Sequence, residues 1–412
     1  MKRTCYNTQS LNIWRMAPPN KIVNLPVSEP LMVDGNHVQL LGDCDLRIDQ
    51  YAALIDGANS SVNIIIYVFT DDPVGRRVRD ALVAAVGRGI AVRVIVDSFG
   101  SGDTSEEFFA SMTNAGIRLA FFSRKWRSSY LIRNHQKLLI VDREAVLVGG
   151  FNLSESYFDG RSIDGWTDLG LVLRGPAAAA MFDWFERLYN FTQSSDGQWL
   201  KLRRVIRGWQ SANQQNGAFS WLVGGPTQRL SPWARAIRTD LALGKRIDMV
   251  MAYFSPGQGM LRRMGRAGLR GKVRLITAAR SDNAATIGAA RLLYSYLLRK
   301  RVSVLEYQPQ RLHMKLVVVD DAVYIGSANF DMRSIFVNLE VMLRIEDGAL
   351  AKQARAIIDH MAVQSNEISP AWIKARATWL TRLRWIMSWF IVSTLDYSVV
   401  RRLNFGLEAD PN

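Results

Sequence analysis

Two stretches of this chain run through the same residues in the same order, and that duplication constrains the fold more than any other feature of the sequence. In the first, NHQKLLIVD (134–142) passes through Arg143-Glu144 to AVLVGGFN (145–152); in the second, LHMKLVVVD (312–320) passes through Asp321 to AVYIGSANF (322–330). The regions upstream match as well. Residues 62–69 (VNIIIYVF) are an apolar run rich in β-branched residues, 74–88 carry helical periodicity, and 91–96 (AVRVIV) make a second strand, which together read as a βαβ unit. Residues 248–254 (DMVMAYF), 258–270 and 272–277 (KVRLIT) repeat that order, with Tyr253 standing where Tyr67 does and Val273-Arg274 where Val92-Arg93 do. A duplication of this length predicts two similar α/β lobes packed about a pseudo-twofold axis.

The predicted boundaries are an N-terminal extension over 1–45, a first lobe over 46–207, a polar Gly/Asn/Gln-rich connector over 208–218 (GWQSANQQNGA), a second lobe over 219–365 and a C-terminal segment over 366–412.

The chemistry sits in the repeated cassette. Of four histidines, His135 and His313 each have a lysine two residues on (Lys137, Lys315), an aspartate seven residues on (Asp142, Asp320), then a pair of small residues and an asparagine (Asn152, Asn329); His37 and His360 have neither. In a strand, residues i and i+2 point to the same face about 6.6 to 7 Å apart, so imidazole and ammonium can address one phosphate. A tight turn at each aspartate would bring the asparagine back toward its histidine, while the Gly149-Gly150 and Gly326-Ser327 pairs would let backbone approach an anion.

Two half-sites facing one another suit displacement at phosphorus. A neutral imidazole attacks, a protonated one donates to the leaving alkoxide, and lysines and asparagines stabilise the equatorial oxygens. Such a site needs no metal or other cofactor, and the nearby carboxylates are not clustered as a two-metal centre would require. Asp168 in GWTDLGLVL and Glu340 in VNLEVMLRI open the apolar strands that follow the two asparagine turns. They are candidates to hold the far nitrogens of the histidines, against the alternative of ordinary strand-end acids. Asp142 and Asp320 count with the catalytic set, fixing the hairpins being their alternative role.

At these residues the sequence resembles the phospholipase D superfamily, whose HxKxxxxD motif followed by GG or GS and Asn is met twice between about Leu46 and Ala351. Within it the chain is most similar to bacterial cardiolipin synthases of the cytoplasmic-face type, since SANFDMRSIFVNLEV supplies Asn329, Asp331, Arg333, Ser334, Asn338 and Glu340 of their extended pattern. The resemblance implies a duplicated fold of two β-sheet lobes flanked by helices. It also implies phosphatidyl transfer in two steps through a phosphohistidine, with His135 as nucleophile and His313 as acid and base. The hairpin after Asp320 is one residue shorter than that after Asp142, a departure that touches the role of Asp320 rather than that of His313.

Composition narrows the partner. Lys and Arg outnumber Asp and Glu by 52 to 37, which favours a polyanion, nucleic acid or an anionic lipid surface. Over Ala371–Phe390 the residues Trp372, Trp379, Leu383, Ile386 and Phe390 share one helical face, Lys374, Arg382 and Arg384 lie elsewhere, and Arg376 falls near the apolar side. Such a helix would lie in the interface of an anionic bilayer, or pack on its own domain. The run that follows to Val400 is short and holds Asp396, so it reads as peripheral. With two cysteines (Cys5 and Cys44) and no secretory signal pattern, the expected location is the cytoplasm or the inner face of a membrane, and the resemblance implies the cytoplasmic face of a bacterial cell membrane. The expected substrate is phosphatidylglycerol or a similar lipid, with no obligatory nucleic acid or protein partner; hydrolysis of the same lipids, or nuclease action, is the alternative.

Overall fold

The computed structural model describes residues 23, 25–122, 132–194, 199–213, 217–227 and 230–395. Its frame is two eight-stranded mixed sheets. The first has the order Leu31–Val33, Asn36–Leu41, Gly170–Arg174, Ala145–Gly149, Leu138–Val141, Ser61–Ile66, Ala91–Asp97, Arg118–Phe122. The second runs Phe219–Gly224, Glu340–Glu346, Ala322–Gly326, Lys315–Val319, Arg246–Met251, Lys272–Ala278, Val302–Tyr307, Ser365–Glu367. Strands two to eight of the first correspond in order to strands one to seven of the second, so the duplication seen in the sequence is a duplication of fold. The last three strands of the first sheet are parallel and the hairpin strands antiparallel; the corresponding strands of the second sheet repeat this, and its further edge strand Ser365–Glu367 is antiparallel.

The strands Leu138–Val141 and Lys315–Val319 are almost entirely Val, Ile and Leu because both faces are covered. Ile65 and Ile140 point inward and meet Val318, Ile325 and Leu343 of the other lobe, together with Trp184, Phe185 and Ile357 from the helices Ala179–Gln193 and Gly348–Val363. Their neighbours in sequence point outward. Ile64 and Leu139 pack under Ile48, Val78 and Phe108, and Met249 and Val317 pack under Ile237, Met264 and Tyr294. One core is therefore shared between the lobes, and each lobe keeps a private one. Local signals set the helix starts: Pro73 opens Pro73–Gly87 behind Asp72, whose side chain accepts from the Gly75 amide.

Three expectations need correction. Residues 31–41, assigned to an N-terminal extension, form two strands at the edge of the first sheet, because their apolar alternation finds an open edge to pair with. The helix Trp199–Ala212 runs five residues into the expected connector, and Trp209 is buried there with its indole N–H donating to the Ala180 carbonyl; 214–216 lie outside the described residues. The helix expected over 371–390 is two, Pro370–Arg376 and Trp379–Trp389, broken where Thr378 caps the second through the Thr381 amide. Asp396, Val400 and Cys5 lie outside the described residues.

Candidate active site

Each histidine is placed by the opposite lobe. The His135 amide donates to the Leu339 carbonyl and the His313 amide to the Thr167 carbonyl, each at 2.9 Å. The next residues in those segments are the two carboxylates. Glu340 therefore lies 3.1 Å from His135 Nδ1, and Asp168 lies 2.8 Å from His313 Nδ1. The pairs are crossed, and neither half-site is complete within its own lobe.

The small residues after the hairpins serve these carboxylates. A Cβ at Gly150 would meet Asp168 Oδ1 at 2.6 Å, so glycine clears the space the carboxylate occupies. At the matching position of the second lobe, Ser327 instead donates through Oγ to Glu340 Oε2 at 2.5 Å. Gly326 takes φ 157° with the Val341 carbonyl 2.1 Å from where a Cβ would stand, a position only glycine fills.

The ring centroids of His135 and His313 are 6.5 Å apart at 63°, facing across one cavity of about 740 Å³. Asn152 and Asn329 line it, as do Tyr67, Arg133, Tyr157, Tyr253, Asp331 and Arg333. Asn152 Oδ1 accepts from the Val68 amide, whereas Asn329 Oδ1 is buried without a partner among the described residues.

The lysines do not line the cavity. Lys137 Nζ donates to the His135 carbonyl at 2.6 Å, and Lys315 donates to the His313 carbonyl with its ammonium 2.9 Å from His313 Nδ1. Both ammonium groups thus lie behind the rings. Asp142 and Asp320 stand at the far ends of the strands, roughly 17 Å from the lysines. Asp142 accepts from the amides of Asn59, Ser60 and Ser61, and Asp320 from those of Lys245 and Arg246. Both take positive φ at their turns. The structure supports their alternative role: they clamp each hairpin to the neighbouring strand and do not line the cavity.

Burial sets the protonation of the site. It lowers His135 to about 4 against the opposing pull of Glu340, with Lys137 and Lys315 adding to the drop. It lowers His313 to about 3, helped by Lys315 and opposed by Asp168. Both rings are thus neutral near pH 7, each Nδ1–H donating to its carboxylate and each Nε2 left with a lone pair. Burial also brings Lys315 down to about 8 and Lys137 well below its ordinary value. It would raise Asp168 and Glu340, but the facing histidines and lysines outweigh it and hold both low.

The sequence reading passed over several site residues. Asp97 accepts from the Asn134 amide at 2.7 Å and so fixes the approach to His135. Tyr67 packs edge-on against His135, and Tyr157 and Trp166 against His313. The Tyr67/Tyr253 match between the repeats was the available signal for one such pair. Among the described residues no group of three or more His, Cys, Asp or Glu is arranged to hold a metal ion.

Two imidazoles on either side of one cavity, each backed by a carboxylate and a buried ammonium, define a phosphodiester-cleaving enzyme of the phospholipase D type. The chain belongs to the family described as cardiolipin synthase, PLD-like domain, whose model matches residues 51–189 and 240–362. It is 27% identical to cardiolipin synthase B of Salmonella typhimurium, over 84% of this chain and 85% of that protein. It is 28% identical to cardiolipin synthase A of Pseudomonas putida, over 81% and 70%. The fold is similar to that of a phosphatidylserine synthase from Haemophilus influenzae, with a TM-score of 0.64 at 14% identity over 84% of this chain and 90% of that one.

Proposed function

We propose that the protein is a peripheral membrane phosphatidyltransferase that moves a phosphatidyl group from one phospholipid to phosphatidylglycerol or another alcohol, by way of a phosphohistidine on His135. The observation that carries this reading is the pair of imidazoles, each held by a carboxylate, facing across one cavity. A phosphodiester between them has a nucleophile on one side of phosphorus and a proton carrier on the other, as in-line displacement requires. His135 Nε2 forms the N–P bond as the bond to the headgroup oxygen breaks, and that oxygen takes the proton from His313 Nε2. The acceptor hydroxyl then gives its proton to His313 and attacks phosphorus, breaking the N–P bond. The bound anion supplies the charge that lets His313 take up a proton despite its burial. The two lysines, held behind the rings on backbone carbonyls, add positive charge to the surroundings of the site without touching the equatorial oxygens.

The membrane reading draws on the C-terminal helix. Trp385 and Ser388 seat Trp379–Trp389 against Ala284–Arg299, where a Cβ at Gly288 would meet Ser388 Oγ at 2.5 Å. The opposite side exposes Trp379, Leu380, Leu383, Ile386, Met387, Phe390 and Ile391, with Trp379 74% accessible. Ile391 also lines the cavity, so an apolar stripe leads to its mouth. One face of this helix packs on the protein, and the other, beside exposed Arg382 and Arg384, supports its placement at a bilayer interface. No helix among the described residues is long and apolar enough to cross a membrane. The variant Leu383→Glu/Met387→Glu is expected to lose most sedimentation with phosphatidylglycerol liposomes while cleaving a short-chain soluble substrate normally; retained sedimentation would remove the helix from the membrane face.

The activity is tested by mass spectrometry of products after incubation with phosphatidylglycerol in the presence of a chelator. Cardiolipin is expected. Phosphatidate alone would make the protein a hydrolase using the same residues, and absence of both would defeat the lipid reading.

A further inference from the structure

A guanidinium buried without a carboxylate partner is costly, and Arg47 on the helix Cys44–Asp56 is fully buried. Its hydrogen bonds go to backbone and sulfur. Nη1 donates to the carbonyls of Gly42, at 3.1 Å, and Asp168; Nη2 donates to the Tyr157 carbonyl at 2.8 Å and to Cys44 Sγ at 3.3 Å. Its plane lies beside Phe151 and Phe158, with centroids at 5.5 and 6.0 Å.

Two of these partners are the residues that hold His313. Asp168 takes the imidazole Nδ1–H, and Tyr157 packs its ring edge-on against the imidazole at 5.1 Å. The second lobe is built differently. There the other hydrogen bonds to the Glu340 carboxylate come from neutral groups, Ser327 Oγ and Asn338 Nδ2, and the helix Pro232–Leu243 carries Arg235 and Arg238 at exposed positions.

We propose that Arg47 is a positioning residue for the reaction: its fork fixes the backbone of Asp168 and Tyr157, and its charge keeps the Asp168 carboxylate facing His313 as an anion. This rests on the reading of His313 as the acid and base of the proposed transfer. The groups facing Asp168 are His313 and Lys315 from the second lobe, and Arg47, Tyr157 and Lys137 from the first. Burial works to protonate Asp168; the hydrogen bond and charge of His313, with Lys315 and Arg47, oppose it. Removing the Arg47 charge therefore moves Asp168 toward protonation, and the acid limb of the rate profile, to which protonation of His135 and loss of the Asp168 carboxylate both contribute, moves to higher pH.

The test is kcat against pH for the full chain with Arg47→Gln, Arg47→Lys and Asp168→Asn in parallel, using phosphatidylglycerol in mixed micelles. Arg47→Gln is expected to lower kcat and shift the acid limb to higher pH. Arg47→Lys keeps the charge and loses the fork, so the limb stays in place while kcat falls by roughly tenfold. Arg47→Met fills the same space without charge and replaces the glutamine variant should that one not fold. A uniform loss of rate at every pH with an unmoved limb, or a lysine variant equal to wild type, overturns the proposal. If Asp168→Asn itself turns over normally, the reading of His313 falls and this inference with it. If Asp168→Asn is inactive but the Arg47 variants leave the limb in place, only the inference on Arg47 falls.

Discussion

The variant His313→Ala is expected to lose more than about a thousandfold in turnover with natural lipid and yet to accumulate a covalent phosphoenzyme from a phospholipid whose leaving group needs no proton. The reason lies in the division of labour across the cavity. Attack by His135 needs only the Nε2 lone pair, which burial and Glu340 leave available at neutral pH. Once the headgroup has left, a second alcohol must be deprotonated on the opposite side of phosphorus, where His313 stands 6.5 Å away between ring centres. Without that imidazole the phosphatidyl group stays where it is. Supplied with a phospholipid whose leaving group needs no proton, such as a p-nitrophenyl ester, His313→Ala should therefore release one equivalent of the phenol and stop. Peptide mapping should find the label on His135, and label on any other residue would sink the assignment. His135→Ala should show neither burst nor label.

The second large effect separates the two carboxylates. Glu340→Gln and Asp168→Asn are each expected to reduce turnover of natural lipid by roughly 10²–10⁴-fold, since each loses the acceptor that fixes an imidazole tautomer. They should differ in which step suffers. Glu340 faces His135, so Glu340→Gln slows attack whatever the leaving group. Asp168 faces His313, so Asp168→Asn spares the first step for a leaving group of low pKa and blocks it for an alkoxide. The reverse pattern, with Asp168→Asn impairing the p-nitrophenyl burst and Glu340→Gln sparing it, would mean that the two histidines exchange roles.

That crossing was not legible in the chain. The cassettes, the carboxylates and the paired βαβ units could be read because each depends on local spacing and strand periodicity. Which carboxylate meets which histidine depends on how two lobes dock, and the contacts that decide it join residues such as Asn134 and Leu339, far apart in sequence. The lysines show the same limit. Spacing put Lys137 and Lys315 on the face of their histidines, but the carbonyls one turn of the strand away draw the ammonium groups behind the rings. Asp142 and Asp320 lie within a motif whose histidine lines the cavity. Only the amides of Asn59 to Ser61 and of Lys245 and Arg246 reveal them as hairpin clamps. The C-terminal helix was read as one because its apolar spacing crosses Ala377-Thr378 without a proline or glycine, whereas the break is made by a threonine cap.

The fold places both lobes' chemistry in one composite site with neutral, oppositely held imidazoles, and nitrogen-15 NMR of histidine-labelled protein tests that arrangement most directly. The chain has four histidines, so the spectrum is simple enough to assign by substitution. At pH 5.5, where an ordinary histidine is protonated, His135 and His313 should both remain neutral, because burial has lowered them to about 4 and about 3. Each should carry its proton on Nδ1, with Glu340→Gln altering the signals of His135 alone and Asp168→Asn those of His313 alone. Imidazolium signals for both rings at that pH, or a Glu340→Gln change confined to His313, would contradict the crossed site.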